Sequence, residues 1–185
     1  MRRRAELALF LCGVFLLGSA GWKIAKYECF QSQAEWLSAS GLPPNLLLAS
    51  KSLVNPAKVL GRLEIPRLGM SVLIVDGDDE ESLDLGAGHV PGTAPIGSSG
   101  NTVVAGHRDT AFRALRHIRI GDEIQISAGQ TYNYAVESFH VVSADDTSQL
   151  QSTGVSKLTM VTCYPFRYIG SAPKRFIVRA RSLSH

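Results

Sequence analysis

The sequence predicts a mostly β protein: a closed mixed barrel of about eight short strands with short helices, preceded by an N-terminal transmembrane helix. From Gly61 onwards, short runs rich in β-branched residues alternate with turns that contain Gly, Pro or Ser, which is typical of all-β domains. Before that point lies an apolar run without charge. The 185 residues allow one domain with a real core plus appendages. We expect an N-terminal tip and anchor in residues 1–24, a juxtamembrane helix and linker in 25–60, and the folded domain in 61–185.

The first 24 residues carry the signals of a membrane anchor. Arg2 to Arg4 precede a run from Leu7 to Trp22 that contains no charged residue. This run is slightly shorter than the roughly 20 residues of a typical membrane span. Flanking residues can extend the span, and charged side chains at its ends can reach towards the headgroups. Because arginines stay on the cytoplasmic side, we expect the N-terminus inside and the domain outside. The alternative is a cleaved signal peptide, with Gly18 to Ala20 as its cleavage site.

Charge and cysteine content exclude several classes of function. The net charge is +3, and without the three N-terminal arginines the 16 remaining basic residues equal the 16 acidic ones, so nothing suggests a nucleic-acid partner. Of three cysteines, only Cys163 lies in the folded domain, which therefore has no internal disulfide and keeps a free thiol. No cysteine pair or His pair with ligand spacing is present, so we expect neither a metal site nor a cofactor.

The region before the domain predicts a helix and a linker. Apolar residues recur at steps of three and four over residues 22–40, which indicates an amphipathic juxtamembrane helix. Gly41 to Pro44 end it. Residues 45–60 follow as a linker, whose Leu46 to Leu48 we expect to pack on the domain.

Within the domain, the predicted strands are the apolar or alternating runs between turn residues. They are Leu63–Ile65, Val72–Val75, a run from Val103 that ends at His107, Ile124–Ile126, Tyr132–Val136, Phe139–Val142, Leu158–Thr162 and Lys174–Ala180. Asp78 to Glu81 read as the acidic start of a short helix, with a calcium site as the weak alternative. Residues 86–100 are predicted to be a loop, 110–118 a short helical segment, and 144–156 an irregular lid.

Cys163 is the candidate nucleophile. It ends an apolar run from Leu158, and Pro165, which cannot donate to a sheet ladder, stops the strand there. A cysteine at the mouth of a rigid strand is well placed for attack on a substrate. A buried structural cysteine is the alternative interpretation.

Two other strand ends complete a reactive set. The apolar run from Val103 ends at His107, and the last strand begins with Lys174 and Arg175. A thiol that attacks a carbonyl, an imidazole that moves protons and a guanidinium that stabilises an oxyanion together suit acyl transfer. If the last strand runs antiparallel to the strand of Cys163, Arg175 lies nearest the thiol. Arg179 then lies about 13 Å further along, at 3.3 Å per residue.

These motifs resemble those of the sortase family. Thr159-Met160-Val161-Thr162-Cys163 is similar to the sortase signature T-L-x-T-C, with Met in place of Leu, a volume-conserving change. His107 and Arg175 stand where the family has its upstream His and downstream Arg. The further runs that resemble class D sortases are Gly88 to Thr93, Gly100 to Asp109, Cys163 to Phe166 and Ala172 to Phe176. The resemblance extends from about Gly61 to Ala180.

The resemblance implies a sortase-type barrel as the catalytic domain of a membrane-anchored cysteine transpeptidase. Cys163 would form a thioester, His107 would act as general acid and base, and Arg175 would hold the oxyanion. The substrate would be a secreted protein with an LPxTG-like C-terminal sorting signal, cleaved between Thr and Gly. The acceptor would be an amine of a cell-wall peptide or a pilin lysine.

The resemblance also implies substrate contacts, which we assign to Thr162, His89 and Tyr164. We expect His107 rather than His89 to carry the proton chemistry, because the end of a strand fixes a side chain better than a loop does. Two alternatives stay open: a cysteine peptidase that uses the same residues with water as acceptor, and a non-catalytic barrel adaptor. An L,D-transpeptidase is disfavoured because the sequence lacks the S-x-G-C pattern of that family.

Overall fold

The computed structural model describes residues 59–183 continuously, together with nine isolated helical positions between Glu6 and Cys29. The juxtamembrane helix and the linker predicted before residue 59 lie largely outside the described residues, as does most of the predicted anchor. All three stay predictions. Within the part that the structure describes, no helix is both long and apolar enough to cross a membrane.

Eight strands close into a barrel. They are β1 (Val59–Ile65), β2 (Met70–Asp76), β3 (Ala87–His89), β4 (Asn101–Gly106), β5 (Glu123–Ala128), β6 (Gln130–Ser143), β7 (Lys157–Tyr164) and β8 (Lys174–Ser182). The order around the barrel is β1-β2-β3-β4-β7-β8-β6-β5, and β5 pairs back to β1. Closure leaves no unpaired sheet edge. Among the described residues, helical connections are α1 (Glu80–Leu85) and the 3-10 helices Pro66–Leu68, Arg113–His117 and Ser148–Leu150.

Alternating residues of the strands fill the interior, as the period of two requires. Leu158 and Met160 of β7 and Val178 of β8 are fully buried in one core cluster. The predicted helical segment after β4 closes this core with Phe112 and Leu115, both fully buried. The odd-numbered residues of β7, among them Cys163, therefore point to the outside of the barrel.

The predicted barrel of eight strands is confirmed, but two of its members differ from the prediction. Tyr132–Val136 and Phe139–Val142 belong to the single long strand β6, whose alternation is interrupted by a register shift between Val136 and Ser138, as a β-bulge produces. Strand β3 lies inside the stretch predicted to be a loop. Its three residues carry no periodic signal, and pairing with β2 and β4 creates it.

A buried carboxylate ties the turn after β1 to the connection before β5. Arg67 donates from Nε and Nη2 to both carboxylate oxygens of Asp122, and the Arg119 N–H donates to Oδ2 at 2.8 Å. The Asp122 side chain is only 5% exposed. The hydrogen bonds from Arg67, and secondarily the one from Arg119, hold the pKa of Asp122 below its ordinary value despite burial, which acts in the opposite direction.

We expect Asp122→Asn to lower the free energy of unfolding at pH 7 by about 1–3 kcal/mol, because Arg67 and the Arg119 N–H lose a buried charged acceptor. The depressed pKa means that the ionised carboxylate stabilises the fold above about pH 4, the pKa of an unfolded Asp, and that this contribution is lost as the pH falls through the folded value. Urea unfolding should therefore show a difference between the two proteins that is largest at pH 7 and shrinks below pH ~4. Glu123→Gln, at an exposed neighbour, is the control. A difference that is independent of pH would contradict this account.

Candidate active site

The ends of β4, β7 and β8 bring three predicted site residues together. β4 runs parallel to β7 with Gly106 opposite Thr162, and His107 directly follows Gly106. β8 runs antiparallel to β7, with Cys163 opposite Arg175. Cys163, His107 and Arg175 all line one pocket of about 370 Å³. The strand pairing predicted for Arg175 is thereby confirmed.

An apolar row lies next to these three residues on the outer face of the barrel. Ala105 stands opposite Val161, which stands opposite Ile177, and all three line the same pocket. They precede or follow the reactive residues by two positions, so they share their face of the sheet. The three predicted site residues therefore stand at one end of a groove with an apolar floor.

The connection from β6 to β7 forms a wall of this groove. Residues 144–156 were predicted to be a lid, and the pocket is lined from this segment by Ala144, Asp146, Thr147, Gln149 and Leu150. Other parts of the wall come from Asp78, Leu83 and Val90. Loops and short helices thus enclose the groove, while strands supply its floor.

The Arg175 guanidinium is oriented by its own strand end. Its Nη1 donates to the carbonyl oxygens of Ala172 and Lys174, each at 3.1 Å. No other hydrogen bond of this guanidinium is seen among the described residues, so its remaining N–H groups can serve a substrate oxygen. Arg179 stands opposite Thr159 and is not among the residues that line the pocket.

His107 has an acidic neighbour that the sequence reasoning missed. Its Nε2 lies 3.9 Å from Oδ1 of Asp84 on α1, and the side chains are 37% and 23% exposed. A carboxylate at this distance pairs with the imidazole when the ring is protonated. Asp84 is separated from His107 by a helix end, β3 and β4, so only tertiary packing brings the two together.

A second missed residue is Arg108, which holds the loop between β7 and β8. Its Nη2 donates to the carbonyl oxygens of Tyr168 and Gly170, at 2.9 and 3.4 Å. The guanidinium also lies 5.9 Å from the centre of the Tyr168 ring, within the range of a cation–π contact. Because Arg108 follows His107 directly, the loop that joins Cys163 to Arg175 is fastened next to the imidazole.

The three predicted substrate contacts lie in different environments. Thr162 is 2% exposed, and its hydroxyl donates to the carbonyl oxygen of Gly106 at 2.7 Å, which joins β4 to β7 just before the reactive residues. The half-buried Tyr164 packs with Phe166 and Phe176, at ring distances of 6.1 and 6.3 Å. The roles predicted for Thr162 and Tyr164 in substrate binding stay predictions.

His89 lies on a different pocket. Its Nε2 is 3.0 Å from the carbonyl oxygen of Ala94, and its ring lines a pocket with Leu60, Asp76 and Ile96. The pocket of Cys163 is lined instead by the following residue, Val90. The structure therefore does not bring His89 together with the thiol, and its role in substrate binding also stays a prediction.

Comparison with known proteins places this fold and this set of motifs in one family. The family model of the Sortase domain matches residues 63–183. The chain belongs to the sortase family. Sortase D of Bacillus subtilis (strain 168) is 28% identical over 199 aligned residues, with all of this chain and all of that protein covered. The predicted family and the resemblance to class D sortases are confirmed.

Solved sortase structures share the barrel. The Clostridium perfringens sortase D5 transpeptidase superposes with a TM-score of 0.65, and the match covers 88% of this sortase and 98% of that chain. The identity is 23%, so this likeness shows the fold. The pilus-related sortase C of Group B Streptococcus is 30% identical with a TM-score of 0.63, covering 72% of this chain and 71% of that one.

The two arginines of β8 allow a matched test of the site. Arg175→Lys should lower kcat by about 10²–10³-fold, because an ammonium lacks the fixed, forked donors that a guanidinium presents to an oxyanion. Arg179→Lys, the same change four residues along the same strand face, should cost little. Steady-state kinetics with the peptide substrate proposed below measure both. A crippled Arg179→Lys beside a mild Arg175→Lys would show that the wrong arginine has been assigned.

Proposed function

We propose that this sortase is a membrane-anchored cysteine transpeptidase that cleaves an LPxTG-like sorting signal between Thr and Gly and passes the acyl group to an amine. The observation that carries this proposal is the register of the three strand ends, in which Cys163 lies opposite Arg175 and His107 lines the same pocket.

The first half-reaction is acylation of the enzyme. The proton of the Cys163 thiol passes to His107, and the sulfur attacks the Thr carbonyl carbon. The oxyanion that forms accepts hydrogen bonds from Arg175 and from backbone amides. His107 gives a proton to the nitrogen of the leaving Gly as the peptide bond breaks. The products are a thioester on Cys163 and a free amine on the released fragment.

The second half-reaction transfers the acyl group. An acceptor amine, from a cell-wall peptide or a pilin lysine, gives a proton to His107 and attacks the thioester carbonyl. The bond to sulfur breaks and a new amide bond forms. Asp84, 3.9 Å from Nε2 of His107, pairs with the imidazolium at the moment when the ring carries this proton.

The groove supports an extended peptide with an apolar start. When the Thr carbonyl lies at Cys163, the residue two positions earlier lies about 7 Å away in an extended chain. This is the spacing between Cys163 and the apolar row of Ala105, Val161 and Ile177, since these strands also repeat every two residues. The Pro of the signal then lies on that row. Thr162, Tyr164 and His89 remain our candidates for further contacts.

Mass spectrometry tests the reaction. Incubation with an LPxTG peptide should give a thioester adduct on Cys163, and an added amine should turn the adduct into a new amide product. Cys163→Ala should abolish the adduct while its circular dichroism spectrum stays unchanged, because the half-buried thiol is replaced by a smaller side chain. An adduct on the Ala variant would sink the assignment of the nucleophile. Release of the free acid at the same rate with and without amine would indicate a cysteine peptidase instead.

The proposed location is the outer face of the membrane, with the N-terminus inside and the domain outside. The support is the run without charge after Arg2 to Arg4. Protease treatment of intact spheroplasts should digest the domain, and the domain should stay in the membrane fraction when protease is omitted. A protected domain would refute the orientation. A mature protein that begins at Gly21 would refute the anchor and leave the orientation standing.

A further inference from the structure

A buried amide on β4 holds the connection from β6 to β7. Asn101 is 2% exposed, and its Nδ2 donates to the carbonyl oxygens of Gln149 and Gln151, at 2.9 and 3.2 Å. The residue between these two carbonyls, Leu150, lines the pocket of Cys163. One side chain therefore fixes the backbone on both sides of a residue of the groove wall.

The orientation of this amide is set by its surroundings. Oδ1 of Asn101 accepts a hydrogen bond from the hydroxyl of Thr159 at 2.7 Å, and Thr159 is 1% exposed. Two loop carbonyls on the other side can be served only by the NH₂ group, which supplies two donors. Breaking these bonds would leave the buried amide of Asn101 unpaired, which is unfavourable.

Neighbouring contacts fasten the same half of the connection. The His140 ring nitrogen Nε2 lies 3.1 Å from Oε1 of Gln149. Gly100 has a φ of +116°, and a Cβ placed on it would come within 3.4 Å of the Ser152 hydroxyl, so the segment packs closely against the backbone of the barrel. In contrast, the hydrogen bond from the Ser148 N–H to Asp146, at 2.9 Å, stays within the loop. The anchorage is concentrated around Leu150.

We propose that Asn101 is a positioning residue for the peptide substrate: it fixes residues 149–151 as a preformed wall of the groove. The proposal rests on the proposed function, since the groove is taken as the peptide site. Ordering a loop on binding costs conformational entropy for every residue that is fixed. A wall that is fixed in advance avoids this cost and strengthens binding. Asn101 does not line the pocket itself and acts through Leu150.

The test is Asn101→Asp in the full-length chain in detergent micelles. The variant keeps the shape and the acceptor for Thr159, but it turns an oxygen toward the two loop carbonyls. The KM for an LPxTG peptide should rise about tenfold or more, a change comparable to the loss of one hydrogen bond from the binding free energy. The kcat should stay within about threefold of that of the unaltered chain. Hydrogen exchange of the amides in residues 148–155 should become faster.

Two further variants make the result interpretable. Asn133→Asp makes the same chemical change on β6, away from this connection, and should leave KM unchanged. Thr159→Val removes only the hydroxyl that orients the amide, and should raise KM in the same direction by a smaller factor. If Asn101→Asp fails to fold, Thr159→Val still decides between the outcomes.

The proposal is overturned if kcat falls while KM is unchanged, or if exchange in residues 148–155 is unaffected. Alkylation of Cys163 by iodoacetamide, which needs no peptide, should keep its rate in Asn101→Asp, and a slowed rate would mean that Asn101 acts on the reactive centre instead. If the unaltered chain forms no thioester with any sorting peptide, the proposed function fails. Faster exchange in the variant would then still show that Asn101 holds the loop.

Discussion

The pairing of β7 with β4 on one side and β8 on the other is the constraint on which the rest of the structure depends. The inward side chains of β7, Leu158 and Met160, are fully buried, and this burial fixes the register, since a slip by one residue would turn them outward. The same register turns Cys163 outward and sets it opposite Arg175. Core packing thus determines the geometry of the outer face.

The pairing of β7 with β4 is fixed by a side chain. The hydroxyl of Thr162 donates to the carbonyl oxygen of Gly106, the residue directly before His107.

The meeting of Cys163, His107 and Arg175 was predictable because each stands at the end of a strand that local sequence defines. Cys163 and His107 end apolar runs, and Arg175 begins one. The prediction therefore rested on the apolar pattern of each strand and on the place of the residue at its end. The residues that support them were not predictable in this way. Asp84 reaches His107 through the packing of α1, and Arg108 contacts backbone carbonyls sixty residues away. Such contacts depend on tertiary structure and leave no local pattern.

The errors in the strand prediction have the same origin. β3 is three residues long and contains a glycine, and a Cβ on Gly88 would come within 2.1 Å of the Gly77 carbonyl oxygen. The glycine in this strand is needed because two backbones approach closely, but in the sequence a glycine is read as a turn residue. In β6 the error is of the opposite kind. A register shift after Val136 breaks the alternation of one continuous strand, so its sequence has the pattern of two separate strands. Sequence periodicity detects strands with a regular pleat and misses those shaped by their neighbours.

Arg108 and Asn101 donate their loop hydrogen bonds to main-chain oxygens rather than to side chains. Every amino acid has the same backbone carbonyl, so the loops before and after β7 keep their backbone contacts whichever side chains they carry. Leu150, which lines the pocket from the loop before β7, and Ile169, which is fully exposed in the loop after β7, can therefore be replaced while the backbone that carries them stays in place. A protein built in this way can change the ligand that it prefers by single replacements in its loops, without redesign of the barrel or of the chemistry at its strand ends.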